Sequence, residues 1–140
     1  YQTAMSYQYG LEPVRALLSF PAYTEGWATY VEYMSYQYAG LPDQLASVLA
    51  LNESIVLSLY ASADIGIHYY GWSQDEAARL LKLFGITNTN AISEIYQYIV
   101  ETPANYLKYC WGYLCFLDLK TEWQTVLGNN LIKSFHQYLP

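Results

Sequence analysis

Two carboxylates in an unusually aromatic stretch, Tyr23-Thr24-Glu25-Gly26-Trp27-Ala28-Thr29-Tyr30-Val31-Glu32, are the first residues whose types and spacing suggest chemistry. Glu25 and Glu32 are seven positions apart. On a helix turning about 100° per residue they return to within roughly 20° of one direction, two turns apart. Ala28 and Thr29 lie between them on that face, while Trp27, Tyr30, Tyr33 and Met34 are bulky. Two acids over small side chains leave room for something cationic. The alternative is a solvated acidic face on an amphipathic helix.

A second constellation is Asp64-Ile65-Gly66-Ile67-His68. Residues four apart share one helix face, so Asp64 and His68 can touch. A carboxylate beside an imidazole fixes its tautomer and favours its protonated form, which suits a general acid or an oxyanion donor. The same pair could equally hold its helix against a neighbour. A third lies in Tyr106-Leu107-Lys108-Tyr109-Cys110-Trp111-Gly112. Gly112 lets another backbone or a ligand come close, and Tyr109, about one turn before it, has a hydroxyl that could donate to a developing oxyanion or simply sit satisfied in a core. His136 reads as structural. The chain contains no H-E-x-x-H, Cys-x-x-Cys or G-x-S-x-G. A zinc site drawn from it alone is therefore short of nitrogen ligands.

The elements that must position these groups are helical. Tyr1 to Tyr9 reads as a helix tail ended by Gly10, and Glu12 to Phe20 as a short helix broken by Pro21. The next helix is predicted to open with Thr24 just ahead of it and Glu25 in its first turn, and to run to Ala39 before Gly40. Pro42 opens a long helix from Asp43 to about Tyr70, with Gly66 a weak point tolerable where another backbone packs closely. Ser73-Gln74-Asp75-Glu76 has the form of a capping box, starting a helix that ends at Gly85. Asn90 is expected to cap a helix through Val100, and Pro103 to begin a last long helix from about Asn105 to Leu127, stopped by Gly128. Leu131 to Tyr138 is a short terminal helix. No run alternates with period two, so the fold class is all-α, roughly seven helices in one bundle-like unit over residues 1–140.

Composition narrows the function classes. Hydrophobic residues make up 54% and charged residues only 13%, against about 25% charged in ordinary soluble domains. Seventeen tyrosines favour a polar-tipped aromatic surface or a substrate cleft. A net charge of −6 with six basic residues argues against nucleic acid, which needs clustered Lys and Arg. No membrane span is expected, because the uncharged run from Ser54 to Ala63 is far short of ~20 residues. Cys110 and Cys115 point to different helix faces and read as thiols, not as a disulfide framework. The start, Tyr1-Gln2-Thr3-Ala4-Met5, falls in mid-pattern and suggests a cut inside a longer protein.

With these segments quoted, the chain resembles a bacterial zincin-like metallopeptidase family catalogued as domain of unknown function 885. The matching stretches are Tyr23 to Ala28 with Glu32, Asp64 to His68 with Gly71-Trp72-Ser73, Glu76 and Ala77, then Pro103 to Gly112, and Phe135-His136. In that family a H-E-x-x-P-G-H segment comes directly before the region seen here. The resemblance implies Glu25 as the third zinc ligand, with two His ligands and the catalytic Glu supplied from the missing N-terminal half. It implies Glu32 as a carboxylate orienting a ligand, and His68, steadied by Asp64, and Tyr109 as groups that stabilise the oxyanion when metal-activated water attacks a peptide substrate. Tyr60 stands where many relatives have Arg, and Ala104 replaces a common Gly, expected to be a mild change of helix start. The resulting expectation is one wall of a zinc-dependent peptidase that holds little zinc as an isolated chain. The rival is a non-catalytic, Tyr-rich helical binding or assembly module. Convergence of Glu25, His68 and Tyr109 on one concave surface would favour catalysis.

Overall fold

The computed structural model describes residues 18–127 and 134–136. These are all-α, as the sequence predicts, with no strand among the described residues. The helices are α1 (Pro21–Ser35), α2 (Asp43–His68), α3 (Gln74–Leu83), α4 (Thr89–Glu101) and α5 (Asn105–Leu127), with a 3₁₀ turn at Tyr36–Tyr38 after α1. The expected helices from Tyr1 to Tyr9 and over most of Glu12 to Phe20 lie outside the described residues, as does most of Leu131 to Tyr138. Residues 18–20 are not helical and residues 134–136 are.

Several boundaries differ from expectation for identifiable reasons. Residues 18–20 are not helical, and Pro21 opens α1, its fixed φ and missing N–H suiting a first turn. That start moves Glu25 out of the first turn, so α1 gains no dipole stabilisation there from an acid. Asn88, not Asn90, caps α4, its carboxamide oxygen accepting from the N–H groups of Asn90 and Ala91 at 2.9 and 3.0 Å. The capping box of α3 forms as read: the Ser73 N–H donates to Glu76 at 2.8 Å, and the Ser73 hydroxyl accepts from the Glu76 N–H at 3.4 Å. Gly66 is filled by a side chain instead of a backbone. A Cβ there would overlap the Trp72 indole, which folds back over the end of α2, while the Trp72 backbone N–H donates to the Gly66 carbonyl at 2.9 Å.

Two sets of packing interactions organise the chain. Trp27 and Tyr30 of α1 meet Phe116 of α5 and Phe135 in an aromatic cluster. Leu59, Ala63 and Ile67 of α2 pack on Ala77, Ala78 and Leu81 of α3 and on Ile92 and Ile99 of α4 in a mainly aliphatic one. The broadest helix contact is α1 against α5, and α5 also packs on α2. Cys110 is a buried free thiol and Cys115 a half-buried one. By length and hydropathy α2 alone among the described helices could cross a membrane. It carries Glu53 near its middle and packs on α3, α4 and α5, and one such helix is weak evidence for a span.

Candidate active site

Gly26 directly follows Glu25, and Gly112 lies one turn after Tyr109. These two glycines mark the crossing of α1 and α5. A Cβ on Gly26 would overlap the Gly112 backbone, and one on Gly112 would overlap the Ala22 carbonyl oxygen. With no side chain between them the helices meet backbone to backbone, the close approach that the sequence anticipates at Gly112. The approach sets Glu25 near Tyr109, close enough for the carboxylate to act on the phenol. Burial first, then the nearby Glu25 carboxylate, raises the Tyr109 pKa above the ordinary phenol value. At neutral pH this phenol is therefore a hydrogen-bond donor.

The second pair forms near the end of α2. Asp64 is buried, and its Oδ1 lies 2.7 Å from Nδ1 of His68, which is also 3.2 Å from the Asp64 carbonyl oxygen. Both neighbours of Nδ1 are acceptors, which assigns the proton of the neutral ring to Nδ1 and leaves Nε2 unclaimed. The His68 side chain is 30% exposed, so the ring remains accessible. Asp64 Oδ1 accepts a second bond, 3.1 Å long, from the Ala104 N–H just before α5. Its Oδ2 is buried with no hydrogen-bond partner among the described residues.

Ala104 corrects an expectation. Its φ is +59°, a left-handed conformation. That conformation costs an L-residue about 1–2 kcal/mol, so alanine here is not a mild change of helix start. The strained residue carries the N–H that ties α5 to Asp64.

The structure thus brings Glu25 to Tyr109 and Asp64 to His68. Among the described residues no hydrogen bond or ion pair joins the two pairs directly. They are linked through α5, whose start is tied to Asp64 and whose Tyr109 lies about 6 Å further along the axis. Tyr106 stands between them on the same helix. Its pKa is raised by burial, then by Tyr98, Tyr60 and Asp64. Glu32 has its place in a hollow of about 250 Å³ that Tyr109 also lines, with Tyr33, Tyr60, Tyr106 and Glu53 among the other walls. His136 is structural, as read: its Nε2 lies 3.0 Å from the Tyr30 hydroxyl and its ring meets Trp27 edge-on.

Tyr33, Glu53 and Tyr106 are pocket residues that sequence reasoning did not single out, and Tyr60 was noted only as a departure. A signal for part of this set was present. Glu53, Val56, Leu57 and Tyr60 recur at three- and four-residue spacing on one face of α2. Their meeting with Tyr33 and Tyr106 depends on how α1, α2 and α5 pack, which spacing does not encode.

Among the described residues no group of three or more His, Cys, Asp or Glu side chains could hold a metal ion. No curated protein and no solved structure matches the chain. A family model does match, over residues 1–139, so the chain belongs to the family described as "Bacterial protein of unknown function (DUF885)".

Proposed function

We propose that this chain forms one wall of the active site of a zinc-dependent peptidase. The observation that carries the reading is the glycine crossing that sets the Glu25 carboxylate within electrostatic reach of the Tyr109 phenol. The donor set fits zinc only in part. Glu25 can supply one oxygen ligand, and the nitrogen ligands would be imidazoles from outside this chain, the N-terminal part of the same protein. When bound, zinc supplies a nucleophilic hydroxide at neutral pH and a Lewis acid for the peptide carbonyl.

The chain's own residues do the rest. The Tyr109 phenol lies near Glu25 and, being protonated, can donate to an oxyanion. Asp64 fixes the rotation and tautomer of His68, so Nε2 is the atom left to face substrate. With the ring protonated, Nε2–H is a second donor to the tetrahedral oxyanion. Glu32 borders the hollow that Tyr109 also lines.

In the full-length protein Glu25→Ala is expected to release zinc and abolish peptide hydrolysis. His68→Ala should keep zinc and lower kcat by roughly 10²-fold or more. Metal analysis beside peptide turnover reads both, and stoichiometric zinc in Glu25→Ala would overturn the assignment. The 140-residue chain alone is expected to bind zinc weakly and to lack turnover. A second reading, a Tyr-rich binding module, draws on the bare rings of Tyr38, Tyr69, Tyr70 and Trp111. It predicts peptide binding indifferent to Glu25 and no hydrolysis by any form of the protein.

A further inference from the structure

The hollow between α1, α2 and α5 has a lining whose chemistry is one-sided. Tyr33, Tyr60, Tyr106 and Tyr109 give it aromatic walls, Glu32 and Glu53 give it two carboxylates from different helices, and no Lys, Arg or His lines it. The aromatic arrangement is built: Tyr60 and Tyr106 stack with ring centroids 4.9 Å apart. Tyr33 is only 8% exposed, yet its hydroxyl has no hydrogen-bond partner among the described residues. That hydroxyl lies in the field of both carboxylates, which, after burial, are the largest causes of its raised pKa. The hydroxyl oxygen is not closed off, so it stays open to the hollow, where its lone pairs can accept from a ligand's donor. Lys108 of α5 does not line the hollow, and its Nζ lies 5.1 Å from the Tyr109 ring centroid.

We propose that this hollow binds the cationic group of a peptide substrate, an ammonium with donors for Glu32, Glu53 and the Tyr33 hydroxyl and a charge suited to the surrounding ring faces. Ammonium groups are attracted to aromatic faces, and desolvation by a partly enclosed wall strengthens that attraction. The volume, about 250 Å³, suits a single residue's end more than a long peptide segment. The proposal rests on the peptidase reading for its substrate, but not for its binding chemistry. The α-amine of a peptide and a lysine side chain share that chemistry.

The test is equilibrium binding by calorimetry to the full-length protein, with three probes. Alaninamide carries only an α-ammonium, Nα-acetyl-lysinamide only a side-chain ammonium, and Nα-acetyl-alaninamide no cation. At least one cationic probe should bind about tenfold or more tightly than the neutral one, and which one does identifies the source. The advantage should shrink with added salt and vanish in Glu32→Gln/Glu53→Gln. Both acids are exposed, so the variant is expected to fold, and Glu53→Gln alone should show a partial loss. Equal binding of all three probes, or an advantage that survives the double substitution, would overturn the proposal. Because no turnover is read, a protein that fails to hydrolyse peptides could still pass, and an active peptidase could still fail.

Discussion

Ala104 is the residue at which backbone cost and site geometry meet most plainly. Its left-handed φ lets its N–H reach Asp64, which in turn holds His68. Glycine at this position would relieve about 1–2 kcal/mol of conformational cost and forfeit some of it through a more flexible unfolded chain. Ala104→Gly is therefore expected to raise stability by about 0.5–1 kcal/mol, read from denaturant unfolding, with kcat preserved. A loss of stability would mean that the strain is not where the backbone places it. His136 gives a pH prediction. Burial, then the nearby Lys120, lowers its pKa below 6.5, so folding favours the neutral ring. Its stabilising contribution is complete above that value and is lost as pH falls through the lower folded-state pKa. Melting from about pH 8 to about pH 5 should show a shallower decline in His136→Gln than in the native sequence.

At the scale of elements, the crossing of α1 and α5 sets the Glu25–Tyr109 pair. Replacing a mid-helix glycine by alanine ordinarily gains up to about 1 kcal/mol of helix propensity. Here the added methyl would run into backbone on the partner helix, and overpacking of that kind costs about 1–3 kcal/mol or more. The clash wins, so Gly112→Ala should destabilise the fold despite its propensity gain. It should also weaken the Tyr109–Glu25 contact, seen as lowered zinc affinity in the full-length protein. Much of this element level was legible in the sequence: the Ser73 capping box, the glycine stops at Gly40 and Gly85, the Asp64–His68 pair and the close approach at Gly112. What escaped were features fixed by partners distant in sequence. Glu25 left the first turn because Pro21 starts the helix earlier, and Trp72 fills Gly66 because the chain doubles back after α2. The strain at Ala104 was read as mild because a residue type says little about φ until its neighbours dictate it.

The molecule as a whole leaves much apolar surface in water. Leu45, Val48, Leu51 and Ile55 lie bare along the first half of α2, and Trp111 and Leu114 along α5. Such a surface agrees with the low charge content that the composition announced, and with a wall that faces further protein. Among the described residues no hydrogen bond or ion pair joins the Glu25–Tyr109 pair to the Asp64–His68 pair, and the start of α5 is tied to Asp64. Whether they serve one reacting centre is the question on which the peptidase reading turns. Groups that act on the same oxyanion lose their effects together, whereas unrelated groups lose them independently. The most direct measurement is a double-mutant cycle in kcat with His68→Ala, Tyr109→Phe and the combined variant of the full-length protein. Each single change is expected to slow peptide hydrolysis while zinc is retained, and the combined variant to lose far less than the product of the two single losses. Losses that multiply in full, or a single variant with unaltered kcat, would contradict a shared centre.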